Sequence, residues 1–179
     1  LGADDLYSQA LSAGVPMGGD ISAPDGLDTG VSAADDSTSA LSFIVQASRD
    51  PATANLDRVQ IVKGWIDEQG DTHERVFDVA WSGEDRVNAD GSLKPVGNTV
   101  DLNTARFTND IGAPELMAVW QDPDFDADQK SFYYARVLHI PTPRHSLYYA
   151  IALGEEHAGT QPATIQERAY TSAIWYHAQ

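Results

Sequence analysis

The stretch Asp57–Trp81, DRVQIVKGWIDEQGDTHERVFDVAW, constrains the fold more than any other part of the chain. Two apolar runs rich in Val, Ile, Phe and Trp flank a polar break at Glu68-Gln69-Gly70-Asp71. This is a β-hairpin pattern, with Gly70 able to take the positive φ that such a turn often needs. In HERVFDVAW (73–81), Phe77, Val79 and Trp81 alternate with Asp78, which predicts one buried and one wet face.

Runs of the same kind recur at short intervals on either side of the hairpin. They are LSFIVQA (41–47), TVDLNTARFT (99–108, with Val100 and Leu102 inward), ELMAVW (115–120), SFYYARVLHI (131–140) and SAIWYH (172–177). With RVQIVKGWI (58–66) and its partner they make about seven short strands, the number expected of an immunoglobulin-like antiparallel β-sandwich. Ser82–Asn98 reads as a polar loop. Pro141-Thr142-Pro143 stops the sixth strand, because proline cannot donate to a ladder. His145–Leu153, HSLYYAIAL, then reads as a short helix closed by Gly154, followed by a loop over 155–163. The expectation is a mainly β chain with a helical insert before its last strand.

The N-terminal part differs. In Asp4–Ala13, Leu6, Tyr7, Ala10 and Leu11 make one helical face; Asp4 or Asp5 can cap it, and Gly14 and Pro16 end it. So short a helix must dock on something. Gly14–Ser39 is rich in Gly, Ser, Ala and Asp and cannot bury enough surface to offset its chain entropy, so it reads as a flexible linker, disordered across 24–39. The expected division is helix and linker over 1–40 and sandwich over 41–179. The chain opens Leu-Gly rather than Met, as a fragment or a processed product would, and the linker leads to the expectation that something is attached before it.

Composition narrows the partners. The 179 residues are 42% hydrophobic, enough for one domain with a real core. Acidic residues outnumber basic ones, 27 to 11, giving a net charge of −16. Such a surface repels phosphate backbones and anionic lipid heads, so nucleic acid and membrane surfaces are poor partners. No apolar stretch approaches the roughly 20 residues that span a bilayer. The sequence has no cysteine, which excludes disulfides, thiolate catalysis and Cys-ligated metals but fits any compartment.

Candidate chemistry is sparse. QDPDFDADQ places Asp122, Asp124, Asp126 and Asp128 at alternate positions, which begins like a calcium loop of EF-hand type. The signal fails on detail, since Ala127 stands where the sharp turn needs glycine and Tyr133 where the bidentate Glu belongs; a solvated β-turn loop is therefore the preferred reading, with calcium the alternative and the one cofactor considered. Of the five histidines, His73 lacks the second His of a zincin helix. His145 and His157 with Glu155 and Glu156 could assemble a hydrolytic site. No Gly-x-Ser-x-Gly elbow, Walker sequence or dinucleotide-type glycine loop is present. Trp65, Trp81, Trp120 and Trp175 each fall in a predicted strand, so they are assigned to the core; Tyr148 and Tyr149 on the insert helix are the exposed candidates. Arg106 and Arg136 interrupt apolar faces, which predicts internal carboxylate partners.

Several phrases then combine in order: GVPMGGD (14–20), RDPATANLDRVQIVKGWID (49–67), VFDVAWS (76–82), PVGNTVDL (95–102), the WQDPDFD loop with FYYARVL (120–138), IPTPR (140–144) and TIQERAYTSAIWY (164–176). Together they resemble the C-terminal part of the bacterial domain-of-unknown-function 3604 family. Full-length members of that family are much longer, and their N-terminal portion resembles metal-dependent phosphoesterases of the polymerase-and-histidinol-phosphatase type. The His and Asp metal ligands expected there have no counterpart here, so the resemblance transfers no catalytic residue. It implies an exported protein and a non-catalytic terminal sandwich packed on its own N-terminal catalytic domain. The contact is expected at the insert, through Arg144, His145, Tyr148 and Tyr149. Two other readings stay open: a module for carbohydrate or another small ligand, supported by calcium, and an independent hydrolase using His145, Glu155 and Glu156.

Overall fold

The computed structural model describes residues 7–8, 10–12, 14–22 and 41–178. Ten strands lie among them: β1 (Asp20–Ser22), β2 (Ser42–Ser48), β3 (Leu56–Ile66), β4 (Thr72–Trp81), β5 (Glu115–Gln121), β6 (Ser131–His139), β7 (Thr142–Pro143), β8 (Thr164–Ile165), β9 (Arg168–Tyr170) and β10 (Ile174–His177). The protein is a mainly β, open two-layer sandwich, as the strand patterning predicts. The larger sheet runs β1-β10-β6-β3-β4, with β9 paired to the far end of β6; β2 and β5 form the opposing ladder. All pairings are antiparallel except that of β1 with β10, which is parallel.

The 57–81 hairpin forms as read. Gly70 sits at φ 85° in the turn, and the Asp67 carboxylate accepts hydrogen bonds from the backbone N–H groups of Gln69 and Asp71. A bulge between Val59 and Gln60 lets both Val79 and Ala80 turn toward the core. The second layer covers one face of the large sheet. Leu56, Val59 and Leu116 pack with Val45, Ala47 and Val137; Ile61, Tyr133 and Tyr176 pack with Phe43, Trp120 and Phe125.

The strand expected over 99–108 is not one. The Asp101 carboxylate accepts from Asn103 N–H and Thr104 Oγ1, which makes a turn closed by a bridge to Arg106, and Leu102 is exposed rather than inward. Asp and Asn side chains here outcompete the ladder for the backbone. The short strands β1, β7, β8 and β9 lie outside the seven expected.

Residues 7–8 and 10–12 are helical, and the Gly14 N–H bonds to the Ala10 carbonyl as the helix closes. Tyr7 and Leu11, on the face expected to dock, are exposed. Its capping aspartates Asp4 and Asp5, and linker residues 24–39, lie outside the described residues. No helix among the described residues is long and apolar enough to cross a membrane.

Candidate functional site

The acidic loop after β5 folds around a buried ion pair. Lys63, on the inner face of β3, is 2% exposed, and its ammonium donates to Asp122 Oδ2 at 2.7 Å and to the Asp124 carbonyl at 2.6 Å. Tyr133 of β6 donates its hydroxyl to the same carboxylate oxygen at 2.7 Å, while Asp122 Oδ1 accepts from the Asp124 N–H. Burial foremost, opposed by a bond from Ser131 and reinforced by the Asp122 carboxylate, pushes the Tyr133 hydroxyl well above the ordinary tyrosine value. Asp124 turns its carboxylate outward to Arg75, and Asp126 caps the Asp128 N–H.

The calcium expectation at Asp122, Asp124, Asp126 and Asp128 is thereby corrected. Asp122 points inward onto an ammonium, and its partners supply the positive charge a cation would bring. No group of three or more His, Asp or Glu among the described residues could hold a metal ion.

A second buried carboxylate, Asp57, receives Arg86 Nη2 at 2.7 Å, Gln166 Nε2 at 2.8 Å and Arg58 Nε at 3.2 Å. Arg86 also donates to the carbonyls of Ser82 and Lys94, which ties the 82–94 loop to β3. Both buried clusters are satisfied internally, so they hold the fold and leave no free group to react. Sequence reading missed both, because Asp57 and Asp122 resemble the surface aspartates around them.

The insert is pinched off at its neck by the β7–β8 ladder, by Arg144 N–H to the Ala163 carbonyl, and by Arg144 Nε to the Pro162 carbonyl at 3.0 Å. Arg144 thus holds the neck. The helix His145–Leu153 follows, ended by Gly154 in the left-handed conformation. Leu147 is its one buried residue; Tyr148, Tyr149, Ile151 and Leu153 are exposed. His145 packs edge-on to Tyr149 at 4.4 Å.

Behind this helix a cleft of about 270 Å³ is lined by Ser146, Tyr149, Glu155, Glu156 and His157. His145 is not among the lining residues, so the trio His145, Glu155 and Glu156 is not gathered in this cleft. Ser146 Oγ and His157 Nε2 are instead 2.9 Å apart, a pair the sequence reading overlooked. It superficially suits nucleophilic catalysis. The Gly159 N–H, however, points at His157 Nδ1 at 3.4 Å. The neutral tautomer that satisfies both contacts carries its proton on Nε2 and donates it to Ser146, the reverse of what a general base must do.

The outer face of the large sheet carries the tryptophan that the core assignment misplaced. Trp175 is 49% exposed, and its neighbours across the sheet are Phe132 on one side and Asp20 on the other. Phe132 lies over Gly64, where a Cβ would meet the ring at 2.3 Å. Trp81 is also exposed, whereas Trp120 packs between Phe43 and Phe77 as expected. Arg136 shares the outer face and bonds through Nε to Gln60 Oε1 at 2.8 Å; its expected carboxylate partner is absent among the described residues. Arg106 is exposed, and no carboxylate pairs with it among the described residues.

These features define a β-sandwich with a helical insert and no assembled catalytic or metal centre among the described residues. The chain belongs to the family described as Protein of unknown function (DUF3604), whose model matches residues 1–178. No curated protein and no solved structure matches the chain.

Proposed function

We propose that this chain is a non-catalytic accessory β-sandwich of a larger metal-dependent hydrolase, docked on the catalytic domain through its insert helix. The observation that carries this is the helix itself. HSLYYAIAL is apolar on nearly every side, yet only Leu147 is buried, and Leu153 is 69% exposed. A helix apolar all round is normally covered, and an exposed apolar patch of this kind marks a contact. The rigid neck at Arg144 supports the reading, because it presents the helix in a fixed orientation.

The strand order agrees with such a role. With β1-β10-β6-β3-β4 opposite β2-β5, the insert falls between β6 and β10, paired neighbours in the large sheet, and a loop carried on such a rigid scaffold is a common place for recognition. The hydrolase identity of the partner rests on the family resemblance alone.

The test is co-purification of residues 1–179 with the separately expressed upstream part of the same reading frame, alongside a phosphoesterase assay with added manganese or zinc. The wild-type pair should co-purify, Tyr149→Asp with Leu153→Asp should abolish that, and the chain alone should show no turnover. Metal-dependent turnover by the chain alone, or co-purification indifferent to both substitutions, overturns the proposal.

A further inference from the structure

The outer face of the large sheet is a band of aromatic rings interleaved with hydrogen-bonding side chains. Trp175 and Phe132 lie 5.2 Å apart between ring centroids and tilted by 47°, Phe132 and Tyr134 6.3 Å apart with nearly parallel planes (8°), and Tyr134 and Tyr170 6.2 Å apart and tilted by 46°. The rings therefore run in one continuous row across β10, β6 and β9. Trp175 and Tyr170 are about half exposed, and no layer covers them among the described residues. Gly64 is what lets the Phe132 ring rest against the sheet: a side chain there would push that ring away.

The flanks are polar, and they are held in place. Register puts Asp20 beside Trp175 at one end of its cross-strand row and Glu74 beside Gly64 at the other. Asp20 pairs with His177 at 2.7 Å, while the Glu74 carboxylate has no partner among the described residues. One row over, Asp78 Oδ1 accepts from Gln60 Nε2 at 2.8 Å, and Gln60 Oε1 accepts from Arg136 Nε at 2.8 Å. Gln60 is 8% exposed, so this relay fixes the plane of the Arg136 guanidinium. The two terminal nitrogens of Arg136 have no partner among the described residues, and Tyr170 is the cross-strand neighbour of Arg136.

We propose that this face is a carbohydrate-binding platform for an uncharged glycan. Sugar rings present polarised C–H groups on one face, which pack on aromatic rings, and hydroxyls at the edge, which both donate and accept. Trp175, Phe132 and Tyr134 supply the stacking surface; Glu74 accepts from hydroxyls and Arg136 donates to them. The same charges argue against an apolar protein layer as occupant. It would bury Glu74 and the Arg136 terminal nitrogens without partners, and an unpaired buried charge is costly. A glycan brings its own donors and acceptors. The net charge of −16 disfavours polyanionic polysaccharides and leaves neutral ones.

The experiment is retention of the full chain on insoluble or gel-embedded neutral polysaccharides: β-glucan, chitin, xylan, mannan and α-glucan. Titration calorimetry with the matching oligosaccharide and sedimentation velocity accompany it. Wild type should bind at least one of them. Trp175→Ala and Tyr134→Ala should each weaken binding about tenfold or more. Glu74→Gln should weaken it less, and Tyr149→Ala on the insert helix should leave it unchanged. Circular dichroism and melting temperature confirm that each variant is folded. The proposal is overturned if no polysaccharide on the panel retains the chain, if Trp175→Ala and Tyr134→Ala bind as wild type, or if the face proves to mediate a dimer that Trp175→Ala dissociates. The test stands apart from that of the insert helix, because neither variant set touches the other surface.

Discussion

Lys63→Met deletes the ammonium that meets Asp122 inside the sandwich while keeping much of the side-chain volume. Lys63 and Asp122 are both nearly inaccessible, and their contact is 2.7 Å. Removing one member of such a pair leaves an uncompensated buried charge, which costs about 3–5 kcal/mol. Against a total stability of about 5–15 kcal/mol for a typical domain, that is a large fraction. Asp122→Asn should cost a comparable amount, because the buried ammonium then loses its counter-charge and keeps only neutral acceptors. The double variant carries no stranded charge, so it should lose less than the sum of the single losses, by about 1–3 kcal/mol. Urea titrations followed by tryptophan fluorescence measure all four free energies, with an unchanged m-value as the sign that the same unfolding is being compared. If the single variants each lose under about 1 kcal/mol, the value of an exposed pair, the buried-pair reasoning is wrong. It is equally wrong if the two losses add within about 0.5 kcal/mol.

Arg75 and Asp124 join the same loop to the same sheet, but both are about half exposed, so Arg75→Ala should cost no more than about 1 kcal/mol in the same titration and less still in high salt. Tyr133 has its pKa raised by burial, so the folded state keeps the phenol proton after the unfolded state has lost it near pH 10. The stability this provides is fully present below about pH 10 and is lost as pH rises through the higher folded value. Tyr133→Phe should therefore lower stability by about 1.5–3 kcal/mol at neutral pH and flatten the alkaline decline seen in melts above pH 10; an unchanged decline contradicts the assignment. Gly112 has φ +79°, and a Cβ there would stand 2.6 Å from Asn55 Cβ and Ile140 Cγ2. Gly112→Ala should cost about 2–4 kcal/mol from strain and crowding together, whereas Gly70→Ala, with open space around it, should cost only the backbone term of about 1–2 kcal/mol; equal losses would refute the crowding argument.

Legibility differed sharply from one element to the next. The 57–81 hairpin was readable because apolar runs, a polar break and a glycine all agree locally. The segment 99–108 misled because Val100 and Leu102 suggest a strand, while the Asp101 side chain captures the backbone that a ladder would need. β1 and β9 are three residues each and are strands only because a neighbour pairs with them. Asp122 looked like a metal ligand by spacing. Its role was set by a lysine that lies 59 positions earlier in the sequence.

Taken by itself, the order of residues determined that this chain makes short strands broken by turns, a helix pinned between prolines and a glycine, and a strongly acidic surface. Those properties depend on neighbours a few positions apart. Tertiary structure alone decided which face of each strand the second sheet covers. Trp120 and Trp175 have equal claims to a core by local pattern, yet Trp120 on β5 packs between Phe43 of its own ladder and Phe77 of the opposing sheet, while nothing described lies over Trp175. Burial is a property of the space between sheets, and that space is created only when residues far apart in the chain have come together.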